Sequence, residues 1–271
     1  MAAAFLSQLA VNASAITDNY LEVYFLNVGQ GDAIFIQTPS GNQVLIDGGP
    51  DNAVIGELSK IMPFNDRSID LVILTHPDAD HLNGLIEVLE RYEVKHILEY
   101  PIPHKSVAYD QWNQLKPEAQ IMTAWAGQTI DLGLGATIQI LYPFKEGEPK
   151  TKSNNNSIVA KLMYGEHTLL LTGDIEALVE KELVYKKVGL DADFLKLPHH
   201  GSKTSSAQNF LDAISPMVTF IMVGLDNKYG HPHSSVIERL EKSGIKYYRT
   251  DTDDTIKLIL DNNNFVIKTS H

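Results

Sequence analysis

Residues 75–84 read THPDADHLNG, and they follow the apolar run IDLVIL at residues 69–74. A nearly continuous apolar run of this kind is typical of a strand that is buried on both faces. Two histidines and two aspartates therefore leave the end of one strand together, where a loop can direct them at one point. Imidazole with carboxylate suits zinc, manganese or iron. The run predicts a metal site with His76, Asp78, Asp80 and His81 as ligands.

A helix cap is the alternative explanation for the acidic residues of this run. Asp78 or Asp80, placed before a helix that begins near His81, would accept the free N–H groups of the first helical turn. Capping accounts for one aspartate but leaves the two histidines without a role. The metal site is therefore the preferred interpretation.

Composition and charge restrict the class of protein. The chain has 271 residues, of which 44% are hydrophobic, as in an ordinary globular protein. It has no cysteine, so a metal site must use histidine and carboxylate. The formal net charge of −12 repels nucleic acid at long range unless bound cations reverse the field locally. This charge argues against a tight non-specific DNA-binding protein, but it is compatible with an enzyme that contacts phosphodiesters through metal ions.

Strand and helix patterns occur in both halves of the chain. Strand patterns cover residues 21–26, 32–37, 43–47, 68–75, 94–98, 137–141, 157–164, 167–172, 194–197, 218–223, 245–248, 255–260 and 265–268, and helical spacing covers 84–92 and 176–188. They predict an α/β fold in which two sheets pack face to face with helices outside, an αββα four-layer sandwich. Residues 21–271 are expected to form this single domain, after a tag or linker remnant at 1–20, with the end of a helix of a larger parent as the alternative for that stretch. The polar segment 101–120 is expected to be an insertion over the site.

The order of the motifs resembles that of one superfamily. HPDADH at 76–81 is similar to the His-X-His-X-Asp-His signature of the metallo-β-lactamase superfamily, with Asp78 in place of the second histidine. Further motifs follow the family's order, namely DGG at 47–49, NNNS at 154–157, LTGD at 171–174 and histidine-bearing loops at 199–200 and 231–233.

The exact motif variants are similar to those of the hydrolase domain of ComEC-type competence proteins. The resemblance covers about Leu21 to Lys268, and the variants include LNVGQGDA at 26–33, HHGS at 199–202 and YGHP at 229–232. In that family the domain is appended to a membrane channel for DNA uptake and is thought to degrade the strand that is not imported. The resemblance therefore implies an extracytoplasmic nuclease or phosphodiesterase, with DNA as a transient substrate and a membrane channel as parent or partner.

The resemblance and coordination chemistry together imply two divalent metal ions, manganese or zinc, with a water bridging them. Asp174 follows a strand and is expected to bridge the two cations. His200 is the expected ligand of the histidine pair and His199 the donor to the leaving oxygen or a phosphate oxygen, with the reverse assignment as the alternative. The full expected ligand set is His76, Asp78, Asp80, His81, Asp174 and His200.

Other residues receive supporting roles. Asp47 is expected to orient a ligand or the water, unless it only forms a turn. His231 is expected to act as a ligand, a leaving-group acid or a substrate contact, with a structural loop histidine as the alternative. Ser202 and Lys203 stand at an expected helix start and would bind phosphate, unless that start is simply solvated. Asn156 replaces a third-motif histidine; it is expected to contact the substrate and leaves a site richer in oxygen donors.

Three functions fit these features. The first is hydrolysis of a phosphodiester, with DNA as the expected substrate. The second is hydrolysis of a small or cell-wall ester such as phosphorylcholine, and the third is a non-catalytic metal domain that gates or scaffolds a DNA channel. Hydrolysis of bis(p-nitrophenyl) phosphate separates the enzymes from the scaffold, and DNA substrates separate the two enzymes.

Overall fold

The computed structural model describes residues 20–116, 120–146 and 148–270. The tag or linker remnant expected at 1–20 therefore lies outside the described residues, apart from Tyr20. The strands are β1 (Leu21–Phe25), β2 (Ile34–Gln37), β3 (Gln43–Ile46), β4 (Ser68–Leu74), β5 (Glu93–Glu99), β6 (Gln120–Thr123), β7 (Thr129–Gly133), β8 (Ala136–Tyr142), β9 (Val159–Tyr164), β10 (His167–Leu171), β11 (Phe194–Lys196), β12 (Val218–Ile221), β13 (Lys246–Arg249), β14 (Ile256–Leu260) and β15 (Phe265–Thr269). The α-helices are α1 (Ala53–Ile61), α2 (Ala79–Arg91), α3 (Val107–Leu115), α4 (Ala177–Tyr185), α5 (Gln208–Ile214), α6 (Ser234–Lys242) and α7 (Thr250–Asp253).

The strands form two sheets that pack face to face. One sheet has the strand order β15-β14-β1-β2-β3-β4-β5-β6, and the other has the order β13-β12-β11-β10-β9-β8-β7. Apolar side chains of both sheets fill the space between them, and the rings of Phe25 and Phe220 stack there with centroids 4.1 Å apart. Strand β4 is almost continuously buried because both of its faces are covered, as its apolar run predicts.

Helices cover the outer face of each sheet. Helices α1, α2 and α3 pack on the first sheet through a cluster that includes Leu85 and Trp112. Helices α4, α5 and α6 pack on the second through a cluster that includes Leu183 and Phe210. These layers confirm the predicted αββα sandwich. None of the helices within the described ranges has both the length and the apolar character needed to cross a membrane.

The polar segment that was expected to cover the site has a different position. Helix α3 packs against α2 in the outer helical layer, and its Trp112 is fully buried. The indole N–H of Trp112 donates to Glu99 Oε2 at 2.8 Å. The prediction of an insertion over the site was wrong for the described part of this segment, because Trp112, Ala108 and Tyr109 give α3 an apolar face that packs onto its neighbour.

Parallel strands bring the motif loops to one edge of the sandwich. Strand β3 runs parallel to β4 in the first sheet, and β10, β11 and β12 run parallel in the second. Carboxyl ends of neighbouring parallel strands meet at the same edge, where ligands bind in open α/β sheets. Asp47, the 75–78 loop with the start of α2, Asp174 and the 198–201 turn all follow such strand ends.

Two glycines allow α2 to approach the loop after β3. A Cβ on Gly84 would lie 1.8 Å from the Gly48 oxygen, so no larger residue fits there without a shift of the backbone. The Gly48 N–H donates to the His81 carbonyl at 2.7 Å, and the Gly84 N–H donates to the Gly49 carbonyl at 3.0 Å. This close contact fixes the start of α2, which carries His81, against the loop that carries Asp47.

Candidate metal centre

Four of the predicted ligands meet at the edge between the two sheets. Asp174 Oδ2 lies 3.2 Å from His81 Nε2 and 3.2 Å from His200 Nε2. Asp80 Oδ2 lies 3.3 Å from His200 Nε2. Ligand atoms of Asp80, His81, Asp174 and His200 all lie within 4.8 Å of one another. Two imidazole nitrogens and two carboxylates in such a space form a donor set that suits a divalent cation.

The histidines of this cluster are oriented by contacts to their Nδ1 atoms. His81 Nδ1 lies 2.8 Å from Asp47 Oδ2, and His200 Nδ1 lies 2.8 Å from a backbone carbonyl oxygen. His76 Nδ1 lies 3.1 Å from the hydroxyl of the preceding threonine, which donates to Asp47 Oδ2 at 2.7 Å. Each Nδ1 thus has a partner outside the centre, and the Nε2 atoms of His81 and His200 face Asp174, an arrangement found around metal-bound histidines. Asp47 therefore stands behind His81 rather than in the cavity.

Buried nitrogens without hydrogen-bond partners show that the cluster fits a metal. The Nε2 atoms of His76, His81 and His200 are buried, and none makes a hydrogen bond of acceptable geometry within the described residues. Buried polar atoms are rarely left in this state. Carboxylate oxygens of Asp80 and Asp174 lie opposite two of them. Nitrogens and anionic oxygens that face each other in this way are the donors that a divalent cation would join.

A buried lysine lies on the other side of Asp174. Lys196 is 1% exposed, and its Nζ pairs with Asp32, lies 3.4 Å from Asp174 Oδ1 and donates to the Gly173 carbonyl at 3.0 Å. One oxygen of Asp174 therefore faces the lysine while the other faces the histidines. Neither Lys196 nor Asp32 was assigned a role from the sequence. The available signals were a lysine inside the apolar run FLKL and an aspartate between a glycine-rich turn and an apolar strand.

Asp32, Asp47 and His81 form a second group whose ligand atoms also lie within 4.8 Å of one another. The Asp47 carboxylate already accepts hydrogen bonds from the N–H and hydroxyl of Thr75 and faces His81 Nδ1. Asp32 already pairs with Lys196. The carboxylates of this group are therefore already paired, and they support the residues of the first cluster.

Burial and the neighbouring opposite charges shift the pKa values of the cluster in opposite directions. Burial lowers the pKa of His200, but the carboxylates of Asp174 and Asp32 raise it by more, so the pKa lies well above its ordinary value. Burial raises the pKa of Asp174, but His200, His81 and Lys196 together hold it well below its ordinary value. Asp174 is therefore ionised at neutral pH and requires positive charge nearby.

An open cavity of about 160 Å³ lies over the cluster and is lined in part by Asp78, Asp80, His199, Tyr229 and His231. Asp78 occupies the N-cap position of α2, but its side chain makes no capping hydrogen bond. Its Oδ2 instead lies 3.7 Å from His76 Nε2. The capping alternative therefore does not account for Asp78, whose carboxylate is available to the cavity.

Two neutral imidazoles form another wall of the cavity. The rings of His199 and His231 lie with centroids 5.8 Å apart. Burial lowers the pKa of His199. Burial, followed by the neighbouring His200 and His199, lowers the pKa of His231 to about 4. The side-chain nitrogen of Asn154, a residue with no role predicted from the sequence, lies 3.1 Å from His199 Nε2.

Asn156 is not brought to the cavity. Its side chain is buried, and its Nδ2 donates to the carbonyls of Lys150 and Lys152 at 2.9 Å each. Its Oδ1 accepts the Lys150 N–H at 2.7 Å. The amide thus holds the loop at 150–156, in a position different from the substrate contact expected of it.

Ser202 and Lys203 do not stand at a helix start. Helix α5 begins at Gln208, so the helix predicted directly after the histidine pair was placed too early. Ser202 is buried with its hydroxyl 3.0 Å from that of Thr204, and Lys203 is exposed in the turn. The phosphate cradle based on a helix N-terminus therefore has no helix behind it, because a stretch of serine and threonine favours turns equally well.

Comparisons with known proteins agree on one family. The model of the metallo-beta-lactamase superfamily matches residues 26–224. ComE operon protein 3 of Bacillus subtilis (strain 168) is 30% identical over 258 residues, which cover 87% of this chain and 32% of that protein. Competence protein ComA of Neisseria gonorrhoeae is 28% identical over 247 residues, which cover 90% of this chain and 33% of that protein. The chain thus spans about a third of the length of these relatives.

A solved structure shows the same fold. The metallo-beta-lactamase fold protein YhfI from Bacillus subtilis matches with a TM-score of 0.55 and 14% sequence identity, covering 86% of this chain and 96% of that chain. At this level of identity the similarity concerns the architecture alone.

Proposed function

Because the chain belongs to the metallo-β-lactamase superfamily, we propose that it is a metal-dependent phosphodiester hydrolase whose substrate is DNA. The observation that carries this proposal is the convergence of His81 and His200 on one oxygen of Asp174, with Asp80 beside them. Divalent cations bound there would supply Lewis acidity and activate water for attack on phosphorus.

The charge of the centre supports two divalent cations. As metal ligands His81 and His200 would lose their extra protons and be neutral, so Lys196 would be the cation set against the five carboxyl groups of the centre. If all are ionised, the excess of four negative charges equals the charge of two divalent ions. His76 and Asp78 offer a second set of donors beside His81, since the rings of His76 and His81 lie 4.2 Å apart. The carboxyl groups counted are those of Asp32, Asp47, Asp78, Asp80 and Asp174.

His199 and His231 would bind the phosphate as hydrogen-bond donors. Both imidazoles are neutral because their pKa values are lowered, so each can donate one N–H without carrying charge. Donors fixed at the position where negative charge develops stabilise the transition state. This role agrees with their place in the cavity wall rather than among the four converging ligands.

DNA is favoured over a small ester for two reasons. The relative from Neisseria gonorrhoeae is named a competence protein. The cavity is also open to solvent, and the exposed residues Lys203 and Lys228 lie close in sequence to residues that line it. Such lysines would contact phosphates on either side of the cleaved bond, despite a net charge of −12 for the whole chain.

Removal and return of metal tests the proposal. Chelator-treated protein should hydrolyse neither bis(p-nitrophenyl) phosphate nor labelled DNA, and Mn²⁺ or Zn²⁺ should restore both activities. Asp80→Ala and Asp174→Ala should abolish hydrolysis while the far-ultraviolet circular dichroism spectrum stays that of the wild type. Near wild-type turnover and metal content in either variant would contradict the proposed centre. Turnover of the small diester without DNA cleavage would favour a small-ester phosphodiesterase, and bound metal without turnover would favour a scaffold.

We also propose that the domain acts outside the cytoplasmic membrane, together with a DNA-uptake channel. The support is that the chain covers only 32–33% of relatives that include a competence protein. Protease added to intact cells, after removal of any outer barrier, should digest the domain while a cytoplasmic marker survives. Protection of the domain under the same conditions would overturn this location.

A further inference from the structure

Tyr229 is an exposed aromatic side chain at the rim of the cavity. It is 57% exposed, lines the cavity and lies in the loop between β12 and α6. Its ring lies at 21° to that of His231, with centroids 5.9 Å apart. A large aromatic surface therefore stands open to solvent directly beside a group in the cavity wall.

The loop that carries Tyr229 is internally braced. Asn227 Nδ2 donates to the Gly224 carbonyl at 3.0 Å and to the His231 carbonyl at 2.7 Å, and the His231 N–H donates to Asn227 Oδ1 at 3.0 Å. At the base of the loop, the Gly224 N–H donates to Gln30 Oε1 at 3.2 Å. These bonds hold the two ends of the loop at a set spacing, so the ring is presented from a fixed position.

A cation accompanies the ring. Lys228 is exposed, and its Nζ lies 5.2 Å from the centroid of the Tyr229 ring. Proteins that bind single-stranded nucleic acid combine aromatic rings, on which bases stack, with cations that follow the backbone. Tyr229 and Lys228 supply one of each next to the centre proposed to bind a phosphodiester.

We infer that Tyr229 is a stacking surface for a nucleobase adjacent to the cleaved phosphate, with Lys228 at the neighbouring phosphate. This inference rests on the proposed function, and it specifies the substrate class as single-stranded DNA. In a duplex the faces of the bases are already covered by stacking, so a base must leave the helix before it can reach the ring. The chain's net charge of −12 repels DNA, so a stacking contact that does not depend on charge contributes a larger share of the binding free energy.

Equilibrium binding tests the inference separately from catalysis. Fluorescence anisotropy would report binding of labelled oligothymidylate and of an abasic oligonucleotide of the same length, both in the presence of Ca²⁺. The wild type should prefer the base-bearing strand by about 5- to 150-fold, which corresponds to the roughly 1–3 kcal/mol that base–aromatic stacking contributes per base. Tyr229→Ala should abolish this preference, and Tyr229→Phe should retain it. Tyr185→Ala is the matched control, because Tyr185 is 84% exposed at the end of α4 and should not affect the preference.

The outcomes distinguish the two proposals. A wild-type preference that persists in Tyr229→Ala overturns the stacking role, even if the enzyme cleaves DNA. Absence of any preference in the wild type overturns it as well. A preference lost only in Tyr229→Ala, in a protein that hydrolyses no diester with any metal, retains the stacking role and overturns the proposed hydrolase.

Discussion

Asp47, His199 and His200 have left-handed backbone conformations, with φ of 59°, 50° and 54°. Such conformations cost about 1–3 kcal/mol each in residues other than glycine and persist only where neighbouring contacts enforce them. Here the Asp47 N–H donates to the Ile73 carbonyl at 2.9 Å and the His200 ring is fixed through Nδ1. The left-handed turn at His199 and His200 directs the two side chains to different places, so that His200 enters the cluster while His199 lines the cavity.

This separation predicts different effects for the two histidines. His200→Ala should reduce both metal content and turnover, because it removes an Nε2 that faces Asp174. His199→Ala should keep its metal and lose about 10²–10³ in kcat, the usual cost of one oxyanion donor. Metal analysis by mass spectrometry alongside steady-state kinetics measures both effects. Loss of metal from His199→Ala only would reverse the two assignments.

Lys196 is expected to support the centre as a positioning residue. Lys196→Met leaves the buried carboxylates of Asp32 and Asp174 without their cation, so it should lower the free energy of unfolding of the metal-free protein by about 3–5 kcal/mol. Urea denaturation in the presence of chelator measures this change.

The matched control for this variant is Lys161→Met. Lys161 is also buried, but its Nζ donates to the Asp191 carbonyl and lies near an aspartate side chain that is 89% exposed. Lys161→Met should therefore lower the free energy of unfolding clearly less than Lys196→Met does. A Lys196→Met variant as stable as Lys161→Met would show that the carboxylates do not need this cation.

Helix α2 is the element on which the centre depends most. Gly84→Ala should lower the free energy of unfolding by about 1–3 kcal/mol, as overpacking does, and should weaken metal binding because the start of the helix must move. Gly56→Ala in α1 should instead stabilise the protein by about 0.5–1 kcal/mol, since Gly56 is exposed and a Cβ there meets nothing within 4 Å. Thermal denaturation and metal titration of both variants provide the comparison, and equal effects would contradict the close contact of α2 with the loop after β3.

Most elements could be predicted because their patterns are local. The apolar run of β4 and the cluster at 76–81 identified the fold and four candidate ligands. Helices α1 and α7 and strands β6 and β7 were not predicted; α7 and β6 have four residues each, whereas α1 and β7 have regular patterns that could have been recognised. The pairing of Asp32 with Lys196 was also beyond reach, because it joins residues of different sheets that are far apart in sequence.

At the scale of the whole molecule, the centre is shared between the two sheets. Asp80 and His81 follow a strand of the first sheet, whereas Asp174 and His200 follow strands of the second. A cation bound by all four would link the sheets, so binding energy should add to folding stability. Metal at about one hundred times its Kd should raise the free energy of unfolding by about 2.7 kcal/mol.

The identity of the metal gives a further prediction. Asp78, Asp80 and Asp174 supply carboxylates at the centre, and Asn156 points away from it, so oxygen donors carry much of the expected coordination. Oxygen-rich sites favour manganese relative to zinc, although zinc binds more tightly at most mixed sites. We therefore expect faster cleavage of DNA with Mn²⁺ than with Zn²⁺ when each is titrated into chelator-treated protein. Full activity with Zn²⁺ and none with Mn²⁺ would contradict this expectation.

The pairing of β1 with β14 determines how long one edge of β1 stays unpaired while the chain is synthesised. Leu21 pairs with Leu260, so one edge of β1 has no partner until nearly all of the described chain has been synthesised. The donors from Asp80 to His200 are all synthesised earlier. A nascent chain can therefore hold every ligand of its metal centre while it still exposes an unpaired strand edge, a surface that invites association with other chains. Protection by a chaperone of the compartment in which the domain folds would be needed most between the completion of the centre and the arrival of β14.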